Sequence, residues 1–190
     1  MVAITEKHLK DKFSQNLDKS NVVILGGTGP VGVASAVICA KAGANVTLVG
    51  RSLEKAEKIA GICNDRYDSK NVKGGADADK SDFFNVADIV LNTGAAGIQL
   101  MSDEHIKNSN TLKICADTNA VPPSGIAGVD VMDNGKVIDM SPSKCLGIGA
   151  LAIGNIKYKS QHECLKLMYT SEKPVYLDFE DAFKFAQKSV

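Results

Sequence analysis

The sequence has no net charge and no long apolar run. Its 22 lysine and arginine residues balance 22 aspartate and glutamate residues, so no diffuse positive field attracts polyanions and we expect no nucleic-acid partner. Residues 1–20 carry closely spaced charges and no apolar stretch of signal-peptide or membrane-spanning length. We therefore expect a cytoplasmic protein without a membrane segment, built as one domain over residues 21–190 after a helical extension over residues 1–20.

Closely spaced metal ligands and catalytic groups are also missing. Structural metal sites and redox motifs need cysteines or histidines at short spacing, but the five cysteines and three histidines are scattered singly. We expect reduced, mostly buried thiols and no metal site. No Ser/His/Asp, Cys/His or carboxylate pair can be assembled from the spacing, so hydrolytic chemistry lacks a nucleophile and a base.

What the sequence does contain is an alternation of strand and helix patterns. Apolar runs predict buried strands at residues 21–25, 45–49, 88–92 and 112–116, and helical spacing predicts helices at residues 31–42 and 52–64. Such alternation is typical of an α/β protein with right-handed crossovers. We expect a Rossmann-type, doubly wound, mostly parallel sheet with helices on both faces.

The rest of the chain is less regular. At most a short strand is predicted around Val72 and Lys73, and residues 128–132 and 136–140 are predicted to form a hairpin across Asp133-Asn134-Gly135. A glycine-rich segment beginning at Leu146 leads into a long helix ending near Tyr169. A short amphipathic helix is predicted over residues 179–189.

The loop after the first strand has a glycine pattern, Gly27-Thr28-Gly29-Pro30-Val31-Gly32. In such a loop the first glycine permits a tight turn, the second lets a pyrophosphate approach the backbone, and the third allows close packing of the following helix. The helix N-terminus adds free amides and a positive dipole. Because a buried strand precedes this loop and a helix follows it, the pattern predicts a dinucleotide site.

The end of the second strand indicates which dinucleotide is bound. An NAD site normally places Asp or Glu there to grip the ribose hydroxyls, but this chain has Gly50 followed by Arg51. Arg51, helped by Ser52 and Lys55, can hydrogen-bond a 2′-phosphate, which predicts NADP. The alternative is that Arg51 is only a solvated residue at a helix start.

Two further strand ends fall at the edge where such folds bind ligands. After the third apolar run, the small residues Thr93, Gly94 and Ala95 would let the backbone approach the ribose or nicotinamide, or would simply form a tight turn. Asp117 ends the fourth run and has two equally weighted interpretations. It faces a substrate, or it caps the turn around Asn119.

Taken in order, several motifs resemble the NADP-dependent methylene-tetrahydromethanopterin dehydrogenases of one-carbon metabolism. The resemblance runs from about Asn21 to the C-terminus and rests on the loop Gly27–Gly32, Gly50-Arg51, residues 93–97, 116–130 and 146–154, and Lys157. It implies oxidation of a methylene-tetrahydropterin to its methenyl form with hydride transfer to NADP. Tetrahydromethanopterin or tetrahydrofolate derivatives would be the substrates. By resemblance, Lys157 faces the interdomain cleft and positions the pterin or tunes its charge.

The sequence departs from this family before the first strand, because family members have a preceding domain that supplies much of the pterin-binding wall. Only residues 1–20 precede the first strand here. We therefore weigh three hypotheses: a dehydrogenase or its cofactor-binding half; a non-catalytic NADP(H)-binding module or subunit needing a separate pterin-binding partner; and a reductase of another small substrate completed by a homo-oligomer interface.

Overall fold

The computed structural model describes residues 1–190 as seven strands, seven α-helices and one short 3-10 helix. The strands are β1 (Asn21–Leu25), β2 (Asn45–Gly50), β3 (Val72–Ala76), β4 (Ile89–Asn92), β5 (Ile114–Asp117), β6 (Asn134–Val137) and β7 (Leu146–Ile148). The helices are α1 (Val2–Phe13), α2 (Pro30–Lys41), α3 (Leu53–Tyr67), α4 (Lys80–Phe84), α5 (Asp103–Asn108), α6 (Ala150–Thr170) and α7 (Phe179–Ser189), with the 3-10 helix at Asp77–Asp79. No helix has the length and apolar character needed to span a bilayer.

All strands form one sheet in the order β3-β2-β1-β4-β5-β7-β6. Every neighbouring pair is parallel except β6 and β7, which are antiparallel. Helices connect the parallel strands as far as β5, because a parallel pair needs a crossover. Between β5 and β7 the chain instead passes through loops and β6. The predicted Rossmann-type, mostly parallel fold is confirmed.

The sheet separates two hydrophobic cores. Successive side chains of a strand point to opposite faces, and β1 shows this directly, since Val22 and Ile24 join one core while Val23 and Leu25 join the other. The first core packs under α1, α2, α3, α6 and α7; the second packs under α4, α5 and the segment around Ile126. Helices therefore cover both faces.

Helix α1 is part of the first core. Val2, Ile4 and Leu9 are buried there, and α1 also contacts α7 near the C-terminus. Cys39, Cys63, Cys115 and Cys145 are buried in the two cores, and Cys164 is partly exposed. Burial raises the pKa of the Cys39 thiol to about 12, which keeps it protonated and unreactive.

The predicted hairpin between residues 128–132 and 136–140 is wrong. The backbone near Asp130 instead folds into turns, because Asp130 N donates to Asp133 Oδ2 (2.8 Å) and Met132 N donates to Asp130 Oδ1 (2.9 Å). Such local aspartate bonds compete with strand pairing. The partner of β6 is β7, a strand of three residues at the start of the glycine-rich segment, where the sequence pattern did not predict a strand.

Candidate functional site

At the centre of the carboxyl edge of the sheet the strand order reverses, and we call the place between the strand-end loops there the crevice. Strand β1 connects through α2 to β2 on one side, whereas β4 lies on its other side. Ligands of open α/β sheets bind at this reversal of strand order. Register places the last residues of the central strands side by side, with Leu25 beside Asn92 and Asn92 beside Asp117.

The loop from β1 to α2 borders this crevice and presents unpaired backbone donors. Gly29 is the N-cap of α2 and makes no side-chain cap, and Pro30 occupies the first turn. The amides of Val31 and Gly32 donate to no protein acceptor. Free amides at the positive end of a 12-residue helix favour an anion.

The three motif glycines have different surroundings. A Cβ on Gly27 would lie 2.5 Å from Leu48 Cδ2, and one on Gly32 would lie 2.5 Å from Gly27 Cα. These two glycines let the loop, strand and helix approach one another. A Cβ on Gly29 would meet nothing nearer than Gly26 O at 3.9 Å, so the space next to Gly29 is open to a ligand.

Two positively charged side chains lie beyond the end of β2. Arg51 and Lys55 are exposed, and neither takes part in an ion pair or a side-chain hydrogen bond within the protein. Ser52 caps α3, since its Oγ accepts from Lys55 N at 3.3 Å. Gly50 is buried beside them, so no carboxylate lies at the strand end.

The loop after β4 is bonded to the loop after β1. Thr93 N and Thr93 Oγ1 both donate to Leu25 O at 2.9 Å. Gly26 has a φ of 62°, and a Cβ on it would lie 2.5 Å from Gly94 Cα. The backbones are therefore in contact at this point, and only Ala95 of the predicted trio is exposed.

Asp117 lies beneath the crevice rather than in it. Its carboxylate is 1% exposed and accepts three hydrogen bonds, from Asn92 Nδ2 (2.7 Å), Asn119 N (2.9 Å) and Ile126 N (3.0 Å). These hydrogen bonds match the interpretation in which Asp117 caps the turn around Asn119. They tie the end of β4 to the loop after β5.

Asn92, Asn119 and Gly125 complete a network that the sequence analysis did not predict. Asn92 Oδ1 accepts from Gly94 N (3.0 Å), and Asn119 Oδ1 accepts from Gly97 N (3.2 Å), so both amides hold the loop after β4. A Cβ on Gly125 would overlap Asn92 Nδ2. The available signal was a lone polar residue, Asn92, ending an otherwise apolar strand.

Lys157 projects from α6 beside the first turn of α2. It is exposed and lines a largely apolar groove of about 390 Å³, together with Val31, Ala34, Ile156 and Phe183. A larger cavity of about 540 Å³ lies between α6 and α7, lined by Tyr158, His162 and Lys188, and includes none of the strand-end loops. Of the two predicted catalytic residues, Lys157 and Asp117, only Lys157 lines the apolar groove, which also borders the start of α2 at Pro30 and Val31.

Comparisons with known proteins identify proteins that are similar to this chain. No protein-family model matches the chain. An NAD(P)-dependent methylenetetrahydromethanopterin dehydrogenase from Methylorubrum extorquens is 39% identical over 189 residues, which cover 98% of this chain and 63% of that protein. The bifunctional protein MdtA from the same organism is 37% identical over 169 residues, which cover 87% of this chain and 57% of that protein. The chain therefore spans about three fifths of the length of these relatives.

Solved structures share the fold at low identity. Quinate dehydrogenase from Corynebacterium glutamicum, in complex with NAD, has a TM-score of 0.58 at 16% identity, with 99% of this chain and 62% of that chain covered. The A chain of dipicolinate synthase from Bacillus subtilis has a TM-score of 0.55 at 14% identity, with 99% and 43% covered. The resemblance predicted from the motifs is confirmed: over nearly its whole length, this chain is similar to an NAD(P)-dependent methylenetetrahydromethanopterin dehydrogenase.

Proposed function

We propose that this chain binds NADP and acts as a methylene-tetrahydromethanopterin or methylene-tetrahydrofolate dehydrogenase, or as the cofactor-binding half of one. The observation that carries the proposal is the donor set at the crevice, seen together with the 39% identity to a dehydrogenase of this kind. Unpaired amides of Val31 and Gly32 and open space at Gly29 suit a pyrophosphate. These residues fit a nicotinamide dinucleotide.

The choice of NADP rests on charge at the end of β2. With Gly50 in place of a carboxylate, the last residue of β2 carries no charge that would repel a 2′-phosphate. Arg51 has no protein partner, so its guanidinium is available for a bidentate bond to the phosphate, and Lys55 adds a second positive charge one helical turn away.

The proposed reaction needs orientation more than acid–base chemistry. A C–H bond of the methylene bridge breaks and its hydride leaves, and the two flanking ring nitrogens of the pterin stabilise the cation that forms. The bound nicotinamide supplies the hydride acceptor. The chain's own task is to hold the two carbons in line and exclude water. In this proposal the backbone from Thr93 to Ala95 supports the nicotinamide end, and Lys157 positions the pterin from the groove.

The test follows NADPH absorbance after the purified chain is mixed with NADP and methylene-tetrahydromethanopterin, with methylene-tetrahydrofolate and NAD in parallel. Rapid NADPH formation is expected if the chain builds its own pterin site. NADPH binding is measured in the same preparation by its fluorescence. A chain that binds neither dinucleotide would refute the proposal.

A second function is favoured by the exposed outer face of α6. Tyr158, Leu165 and Tyr169 on this face are 73%, 65% and 91% exposed. In this alternative the chain is a non-catalytic NADP(H)-binding module or subunit. The pterin wall then comes from a separate partner or a homo-oligomer. It predicts intact NADPH binding without turnover, and light scattering distinguishes a monomer from a self-assembled form.

A further inference from the structure

Position 50 ends β2 at the place where NAD sites carry a carboxylate. Gly50 is buried, and a Cβ placed on it would lie 2.8 Å from Thr28 Cγ2. The next nearest atoms, Ala56 Cβ and Ser52 O, would be at the ordinary contact distances of 3.6 and 3.7 Å. The methyl group of Thr28 is therefore the one neighbour that conflicts with a side chain at position 50.

We propose that Thr28 determines cofactor specificity through position 50. Its methyl group lies 2.8 Å from the position that a Cβ at residue 50 would take, so an aspartate or glutamate there requires Thr28 to move. The inference rests on the proposed NADP function and extends it, because it assigns a specificity role to Thr28, which lies in the loop after β1 rather than at the end of β2.

The shape of the threonine side chain makes its methyl group hard to move away from position 50. A β-branched side chain is stiff at χ1, so moving the methyl off Gly50 requires a change of rotamer in a loop packed against β2. The hydroxyl of Thr28 makes no hydrogen bond within the protein, since none of the side-chain bonds around the loop includes it. Thr28→Ser therefore removes the conflicting atom and retains the polar group, whereas Thr28→Val retains the methyl and removes the hydroxyl.

A stability cycle tests the steric part without any cofactor. Gly50→Ala alone should lower Tm by about 5 °C, because overpacking a buried site destabilises a domain of this size by that order. In the Thr28→Ser background the same substitution should cost less than half as much. In the Thr28→Val background the full loss should persist. Equal losses in all three backgrounds would overturn the steric coupling.

A binding cycle tests specificity, using the fluorescence of NADPH and NADH. Gly50→Asp alone should weaken NADPH binding about tenfold and leave NADH binding nearly unchanged, because the new carboxylate is held out of position. Thr28→Ser combined with Gly50→Asp should strengthen NADH binding about tenfold, which is within the coupling known for residues in contact. Thr28→Val combined with Gly50→Asp should not strengthen NADH binding.

The outcomes separate this inference from the function on which it depends. Suppose that the wild-type chain binds NADPH, and that Gly50→Asp alone gains as much NADH affinity as Gly50→Asp combined with Thr28→Ser. Thr28 is then not a determinant of specificity, and the proposed function stands. If wild-type chain binds neither dinucleotide, the proposed function and this inference both fail. A gain confined to the Thr28→Ser background supports the inference.

Discussion

Gly29 and Gly32 belong to the same glycine motif, yet an added methyl group should affect different properties at the two positions. At Gly29 we expect weaker dinucleotide binding, and at Gly32 we expect lower stability. Gly29 has a φ of −87°, and its Cβ would face open space. Gly29→Ala should therefore fold normally, with a stability change within about 0.5 kcal/mol, but should weaken NADPH binding at least tenfold because the methyl occupies the space needed by the pyrophosphate. Fluorescence titration and a thermal melt measure the two effects.

Gly32→Ala is the matched control for that experiment. Its Cβ would lie 2.5 Å from Gly27 Cα, which is backbone and cannot move aside cheaply. We expect a loss of about 1–3 kcal/mol in the free energy of unfolding, the usual cost of overpacking. Unchanged NADPH affinity in Gly29→Ala would contradict the assignment of the pyrophosphate to this loop.

Arg51 gives a second prediction at the residue scale. Arg51→Ala should weaken NADPH binding about tenfold or more, because a charge-assisted bond to the 2′-phosphate is lost, and should leave NADH binding nearly unchanged. Arg66→Ala removes the same charge from the last turn of α3 and serves as the control. Equal losses for both dinucleotides would show that Arg51 does not read the phosphate.

Single residues were predictable from the sequence where one local motif defines their role. The glycine loop and the Gly50-Arg51 pair belong to this class, because strand, turn and helix follow one another directly along the chain. The contact between Thr28 and Gly50 and the hydrogen bond between Asn92 and Asp117 could not be predicted. They join segments more than 20 residues apart, and their geometry depends on strand register.

At the scale of elements, burial decides how well the sequence predicts the structure. Strand β1 was predicted with its observed bounds, because a strand buried on both faces is a continuous apolar run. Strand β6 was predicted with other bounds and another partner, and β7 was missed. Strand β6 lies at the sheet edge with mostly exposed side chains, and β7 has only three residues with a central glycine. Such strands owe their pairing to neighbours rather than to their own pattern.

Helix α5 contains a pH-sensitive N-terminal cap. Ser102 N donates to His105 Nδ1 at 3.0 Å, and the Ser102 side chain accepts from His105 N. Partial burial, then the positive charge of Lys80, lowers the pKa of His105 below its ordinary value of 6.5. The folded state therefore favours the neutral ring, which is the form that accepts the hydrogen bond.

This cap should make stability fall with acidity. As pH decreases through 6.5, the unfolded chain takes up a proton at this histidine before the folded chain does, so the free energy of unfolding declines until the folded ring is also protonated. His105→Gln keeps an acceptor at the third helical position without the titration. Wild-type Tm should drop relative to that variant between pH 7.5 and pH 5.5. A constant difference in Tm would exclude His105 as the titrating group.

At the scale of the whole molecule, the crevice depends on bonds between distant parts of the chain. Asn92 and Asp117 end adjacent strands, and their side chains organise the loops that follow β4 and β5. The first of these loops is in turn bonded to the end of β1 through Thr93. Three connections of the sheet are thereby fixed relative to one another, so the surface at this edge is formed without a ligand.

Asp117→Asn tests whether this network is structural or catalytic. The substitution replaces one acceptor oxygen by an NH2 group that must face a backbone donor, either Ile126 N or Asn119 N. A buried donor without an acceptor costs about 1–3 kcal/mol, so Tm should fall, and NADPH binding should weaken because the loop after β4 loosens. Asp139→Asn, at an exposed position, should change neither quantity. If Asp117→Asn instead kept the wild-type Tm and NADPH affinity and lost only turnover, Asp117 would face the substrate, and the loops would be held in place by their backbone contacts alone.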